Sequence, residues 1–263
     1  MNTRNFYRKF VLFSVCLGLA FSMECLYNKA YGQPVQNKKA KVAYIYTVTT
    51  PELKEDMMRE AQEQLGSDVE IMIYEVPSVF EEIKRVGYVT APPASKLIQT
   101  YMKAIDDGAD AILSICSTVA DVAFSMQEAA EYIGVPIIIV NEEMCREAVR
   151  KGQKIALMAT FNTSIDPTRN ILQRVSREMG KHIEVTEVLL DGAFGLDQTQ
   201  FRALMAQKAG EIADKVDVIV FTQGSMAYCE KYIAEMYGKV VLSNPRFGTK
   251  SVKDVLILKG LLK

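Results

Sequence analysis

Lys41-Val42-Ala43-Tyr44-Ile45-Tyr46-Thr47 returns 113 residues later as Lys154-Ile155-Ala156-Leu157-Met158-Ala159-Thr160. A lysine opens each segment, five apolar or aromatic residues follow, and a threonine closes it. An unbroken apolar run of that length is the pattern of a strand covered on both faces, as in a parallel sheet. A second pair, Asp110-Ala111-Ile112-Leu113 and Asp217-Val218-Ile219-Val220, recurs at an offset of 107, and residues 135–141 are echoed more loosely by 239–244. Matched strands at near-equal offsets predict a duplicated α/β unit, with two similar lobes related by a pseudo-two-fold axis.

Working outward, further strands are expected at 69–75, 183–190 and 240–243. Helices are expected at 51–65, 77–84, 94–107, 118–133, 167–179, 198–215, 224–237 and 252–262, with 87–93 as a loop. Pro51 suits the first turn of its helix, and Gly108 ends another. The fold class is therefore α/β: one parallel sheet per lobe, flanked by helices. Lobe one spans 40–150 and lobe two 151–246, and a C-terminal helix in 247–263 is placed to pack back on lobe one. Ligands of open parallel sheets bind beyond the carboxyl ends of the strands, so the site is expected in the cleft between the lobes.

Composition narrows the function. The chain has 263 residues, 31 Lys and Arg against 32 Asp and Glu, and a formal net charge of −1. Charges spread evenly at that balance give no electrostatic case for nucleic acid. A single histidine, His182, removes most zinc sites, no metal-ligand spacing is present, and no glycine-rich phosphate loop is found. His182 itself reads as a surface or structural residue. Residues 1–32 read as a secretory signal: Arg4, Arg8 and Lys9, then an apolar run over 10–21, then Ala30-Tyr31-Gly32 as a small-x-small cleavage pattern. Twelve apolar residues are too few to span a bilayer. The expectation is an exported protein, periplasmic or secreted, with no stable membrane insertion once the signal is removed. The alternative is an anchor through an uncleaved or lipidated N-terminus at Cys16 or Cys25. Cleavage leaves Cys116, Cys145 and Cys229 in an oxidising compartment. A Cys145–Cys229 disulfide is one open arrangement; two separate thiols are the other.

Superposing the repeats sets Ile115-Cys116-Ser117-Thr118 against Thr222-Gln223-Gly224-Ser225. Both lie between a buried strand and a helix start, where free N–H groups and the helix dipole favour an anion. A thiol there is expected to ionise more easily. Ser117, Thr118 and Ser225 are candidate helix caps. A small buried hydrophobe is the other reading of Cys116.

Residues 112–119 (ILSICSTV), 155–160 (IALMAT), 218–226 (VIVFTQGSM) and 242–248 (LSNPRFG) resemble the aspartate/glutamate/hydantoin racemase superfamily, with ILSICSTV the most specific. The resemblance covers nearly all of 40–263. It implies two flavodoxin-like lobes, an active site between them, no cofactor, and a small carboxylate or amino acid as substrate, with a homodimer a common assembly. It also implies proton transfer at the α-carbon, Cys116 removing or delivering the proton as a thiolate. Inversion needs a proton-transferring group on each face of a planar intermediate, and fixed donors for its charge. Donors are sought in helix N-terminal amides, Ser117, Thr118, Thr160, Gly224 and Ser225, with Thr47, Asn162 and Thr163 as weaker candidates. The sequence departs from the pattern at Gln223, where the second cysteine is expected; an amide cannot act as a base. Cys229, six residues on, is a poor substitute. Three readings stay open: a racemase-like enzyme, a single-cysteine decarboxylase or isomerase, and an exported carboxylate-binding protein. For a second substrate carboxylate, Arg146, Arg169 and Arg246 are the cationic candidates. Arg246 is favoured, in a Pro245–Gly248 turn at a strand end.

Overall fold

A computed structural model describes residues 39–263. The signal reading of 1–32, with Cys16 and Cys25, lies outside the described residues. In lobe one the strands are β1 (Ala40–Tyr46), β2 (Val69–Glu75), β3 (Ala111–Ile115) and β4 (Ile137–Ile139), all parallel, in the order β2-β1-β3-β4. Lobe two repeats this with β5 (Lys154–Ala159), β6 (Glu184–Leu189), β7 (Val218–Phe221) and β8 (Val240–Leu242), in the order β6-β5-β7-β8. The register shows the duplication directly. Val42 pairs with Ile71 and Ala111, and Ile155 with Val185 and Val218, at the offsets found in the sequence.

An aspartate locks the entry to each central strand pair. Asp110 Oδ2 accepts the Lys41 N–H at 2.8 Å, while Asp217 Oδ2 accepts those of Gln153 and Lys154, both at 2.9 Å. Those backbone donors hold the Asp217 carboxyl below the usual carboxylate range. A Cβ on Gly152 would lie 2.4 Å from the Asp217 Cβ, so only glycine admits this latch without a shift.

Helices α1 (Pro51–Gln64), α2 (Pro77–Val86), α3 (Ala91–Asp106), α4 (Ala120–Ser125), α5 (Gln127–Ile133) and α6 (Glu142–Lys151) belong to the first half. Helices α7 (Ile165–Glu178), α8 (Gln198–Gly210), α9 (Glu230–Tyr237) and α10 (Asn244–Leu258) belong to the second. Thr50 caps α1 by accepting the Leu53 N–H at 3.2 Å. Helix α3 starts inside the expected loop, because prolines 92 and 93 fall in its first turn, where no N–H is required. The helix expected over 118–133 is three pieces: a 3₁₀ turn at Ser117–Val119, then α4 and α5. The ladder tightens to an i→i−3 bond from Met126 N–H to Ala123 O and restarts at Gln127. Likewise 224–229 is 3₁₀ and α9 begins only at Glu230.

The last helix starts at Asn244, eight residues earlier than expected. Pro245 is tolerated in its first turn, so Pro245–Gly248 is helix and not a strand-end turn. Gly248 is there for contact: a Cβ would stand 2.8 Å from Val140 Cγ2 and 3.1 Å from Val140 O.

The two helices that follow the fourth strands are exchanged. Helix α6 leaves lobe one and packs on β7, β8 and α7, while α10 leaves lobe two and packs on α1, β3 and β4. Val252 and Leu256 of α10 join Val42, Tyr44, Leu53 and Met57 in one cluster. Met144, Cys145 and Ala148 of α6 join Ile155, Leu157, Val218 and Val220 in another that also holds Ile112 and Ile137. One core thus spans both sheets, and burial of this apolar surface fixes how the lobes face each other.

Candidate functional site

The carboxyl ends of both sheets open onto one cleft enclosing about 490 Å³, its mouth included. Lobe one supplies Val48, Thr50, Leu53, Phe80, Cys116, Ser117 and Thr118; lobe two supplies Phe161, Phe194, Gln223, Gly224 and Ser225; Asn244, at the start of α10, stands on the seam. The expected residues Cys116, Ser117, Thr118, Gln223, Gly224 and Ser225 are thus brought together.

Cys116 directly follows β3 and is the N-cap residue of the 3₁₀ turn, with the extended backbone of that position. It is 9 % exposed, enough to meet a ligand entering the cleft. Burial pushes its thiol up; the Thr47 hydroxyl, the N–H groups of Thr118 and Val119 and the Thr118 hydroxyl pull the other way and are outweighed. This corrects the expected easy ionisation: the donors of the helix start are present, yet desolvation in an apolar pocket is the larger effect. Burial therefore opposes ionisation of Cys116, while the groups around it would hold a thiolate once formed. Beneath it, Tyr101 is fully buried and its hydroxyl shares a 2.8 Å hydrogen bond with Ser114.

The counterpart, Gln223, is fixed by geometry. Its Oε1 accepts the Thr160 N–H at 3.0 Å and the Thr222 hydroxyl at 3.0 Å. A backbone N–H only donates, which settles which end of the amide is oxygen. The NH₂ end is left over, buried and without a partner. Gln223 is thus a held donor whose free end has no protein acceptor.

Other polar atoms at the strand ends share this condition. The hydroxyls of Thr47 and Thr160, equivalent in the repeat, and the Oδ1 atoms of Asn141 and Asn244, also equivalent, are buried and have no full hydrogen-bond partner. Unpaired buried polar atoms are rare and costly; of these residues Gln223 and Asn244 line the cleft, so their free atoms are the ones that point to a ligand there. Thr47 sits beside the Cys116 thiol, whereas Thr160 opens onto a wider groove that shares Thr50, Phe194 and Ser225 with the cleft.

The caps expected of Ser117, Thr118 and Ser225 are not made, because Cys116 and Gln223 occupy the cap positions. Ser117 instead donates across the lobes to the Thr222 carbonyl. Thr118 Oγ1 lies 3.4 Å from Thr163 Oγ1. Asn162 and Thr163 line a neighbouring groove reached past Thr118, not the cleft. The arginines are also committed elsewhere: Arg246 pairs with Glu230, Arg169 with Asp166 and Glu187, and Arg146 with Glu142, Glu143 and Glu178. Cys145 and Cys229 are free thiols in separate cores, which removes the disulfide. His182 is exposed just before β6. Among the described residues no group of three or more His, Cys, Asp or Glu is gathered for a metal, and no helix is long and apolar enough to cross a membrane.

Sequence reasoning missed Asn244 and the aromatic trio Phe80, Phe161 and Phe194. Asn244 was within reach, since the loose echo of 135–141 by 239–244 sets it against Asn141. The aromatics come from a helix and two loops and carry no periodic signal.

Residues 42–250 match the family model described as Asp/Glu/Hydantoin racemase. Among solved structures the chain is similar to a glutamate racemase from Bacillus anthracis, with TM-score 0.64, 16 % identity, and coverage of 86 % of this chain and 84 % of that one. It is similar to allantoin racemase from Klebsiella pneumoniae, with TM-score 0.61, 16 % identity and coverage of 85 % and 89 %. Unliganded arylmalonate decarboxylase follows with TM-score 0.54, 13 % identity and coverage of 82 % and 92 %. At these identities the likeness is one of fold. No curated protein matches the sequence significantly.

Proposed function

The chain belongs to the Asp/Glu/hydantoin racemase family, and from that premise we propose that it transfers a proton at the α-carbon of a small carboxylate, without a cofactor, using Cys116 on one face only. The observation that carries this reading is Gln223: an amide locked by Thr160 and Thr222, with an orphaned NH₂, where a second proton-carrying side chain would stand. An amide neither gives nor takes the proton, but it can hold the charge of an enediolate.

The chemistry runs from the protonated thiol. Heterolysis of the C–CO₂ bond of a substituted malonate leaves its electron pair on the α-carbon and releases CO₂; that carbanion takes the Sγ proton, and its negative charge passes to sulfur. The Thr47 hydroxyl and the Thr118 and Val119 N–H groups then stabilise the thiolate. In reverse, that thiolate removes the α-proton. The substrate carboxylate, gaining electron density as the carbanion delocalises, meets the Gln223 NH₂. We propose export as well, supported by the basic and then apolar start of the chain and its small-x-small pattern.

The test is solvent deuterium exchange at the α-carbon over a panel of amino acids, hydantoins and substituted malonates, the last scored also by loss of CO₂. Turnover or exchange on a member of the panel is expected, falling by about 10²–10⁴-fold in Cys116→Ser. An inert panel, or activity surviving in Cys116→Ser, overturns the reading. Binding without turnover that survives this substitution would assign the cleft to solute capture.

A further inference from the structure

Resting on the proton-transfer reading of Cys116, we infer that the cleft selects a substrate whose α-substituent is apolar and uncharged, an aryl group above all, over dicarboxylates and ammonium-bearing acids. Among the described residues that line the cleft, none is charged. A second carboxylate would find no cation there, because Arg246 and Arg169 are already paired with carboxylates of their own. Lys84 holds its Nζ 5.7 Å from the Phe161 ring centroid, against an aromatic face, and is not part of the lining. An ammonium group would find no carboxylate in the cleft itself; Glu52 and Asp197 line only the wider groove that shares Thr50, Phe194 and Ser225 with it. Moving either charge into this lining uncompensated is strongly unfavourable.

What the cleft offers instead is an aromatic collar built from both lobes. Phe80, on α2, meets Phe161, just beyond β5, with ring centroids 5.0 Å apart and planes at 68°. Phe161 meets Phe194, in the loop before α8, at 4.8 Å and 48°. Edge-on and tilted contacts of this kind present ring faces and edges to a further ring. Phe194 is 39 % exposed, so the collar has a side open to solvent that an entering substituent can cover.

The chemistry agrees with the shape. With only neutral donors, the Gln223 NH₂ and backbone N–H groups, to hold an enediolate, the cleft gives less charge stabilisation than a cation would. An α-aryl group spreads the carbanion's charge into its own ring, so the substrate supplies part of what the cleft lacks.

The test is calorimetric binding of phenylacetate, acetate and glutamate to the full chain and to Cys116→Ser, alongside deuterium exchange with the same acids. Phenylacetate is expected to bind at least about tenfold more tightly than acetate, with glutamate no tighter than acetate. Phe194→Ala, on an exposed loop side chain, should weaken phenylacetate severalfold and by a larger factor than acetate; Phe161→Leu should do the same. Absent phenylacetate binding, no preference over acetate, or tighter glutamate binding overturns the inference. The two readings fail separately. Aryl preference in the full chain and in Cys116→Ser, with no exchange or turnover, removes the role of Cys116 and keeps the selectivity. Cys116-dependent exchange confined to dicarboxylates removes the selectivity and keeps the role.

Discussion

At the carboxyl end of its sheet lobe one carries Thr47, Cys116 and Asn141; lobe two carries Thr160, Gln223 and Asn244 at the equivalent places. The threonines match; the asparagines, Asn141 at the N-cap position of α6 and Asn244 opening α10, are paired by the loose sequence echo, and each of the four has a buried oxygen lacking a full partner. Only the middle pair differs, a thiol against an amide. Duplication therefore supplied two half-sites of one design, and a single position separates a group that carries a proton from one that only holds charge. A symmetric pair of thiols would serve both faces of an intermediate. In the proposed reaction this pair serves one face and steadies the charge from the other.

Restoring the symmetry gives the largest expected effect. Gln223→Cys places a second thiol across the cleft, so exchange, which in the parent should occur with retention, should become accompanied by inversion. Chiral chromatography of the recovered substrate is expected to show inversion rising by about 10²-fold or more above the parent. Inversion at equal rates in parent and variant would mean that a group other than Gln223 already serves the second face.

The next effect compares the buried thiols outside the cleft, Cys145 in the core that spans both sheets and Cys229 in lobe two's own core. Burial pushes Cys229 up to about 11 and raises Cys145 as well. A group whose folded pKa is raised contributes full stability below its unfolded pKa, near 8.5–9, and loses it as pH climbs to the folded value. Stability should therefore fall between about pH 9 and 11, with Cys229 accounting for up to about 3 kcal/mol of the loss. Urea titrations at pH 8 and 11 should show Cys229→Ala losing less stability over that interval than the parent, whatever its starting offset. Equal losses would mean that Cys229 ionises freely in the folded chain.

How far the comparison was readable beforehand differs between backbone and side chains. The repeat exposed the strands and the alignment of Cys116 with Gln223, because buried parallel strands leave unbroken apolar runs. The crossing of α6 onto lobe two left no such trace: an amphipathic pattern shows that a helix has a buried face, not which lobe it buries it against. The ionisation of Cys116 was misread for a related reason. Sequence shows the helix start that favours a thiolate, while the burial opposing it is set by packing among residues from distant parts of the chain, which no local motif displays. Arg246 was misplaced because Pro245 and Gly248 read as a turn, when proline fits a first helical turn and Gly248 is required by contact with Val140.

A smaller effect separates the structural half of Gln223 from its chemical half. Gln223→Leu removes the acceptor of the Thr160 N–H, leaving a buried donor unpaired at a cost of about 1–3 kcal/mol, readable as a lower denaturation midpoint. In lobe one Cys116→Ser leaves no equivalent backbone donor stranded, so its midpoint should move less. A larger loss for Cys116→Ser would reverse which half-site anchors the seam between the lobes.

The smallest effect tests the pair that looks identical. Thr47 and Thr160 both end a central strand with a buried hydroxyl, but their neighbours differ. The Thr47 hydroxyl faces the Cys116 thiol and favours its ionised form, whereas Gln223 is held through the Thr160 backbone N–H, which no side-chain change removes. Thr47→Val should therefore raise the Cys116 thiol further and move the alkaline limb of the pH–rate profile to higher pH, since the proton-bearing form then persists further. Thr160→Val should leave that limb in place, because Gln223 does not titrate. If both variants shift it alike, the hydroxyls act through the shape of the cleft, and two half-sites alike in sequence are alike in chemistry as well.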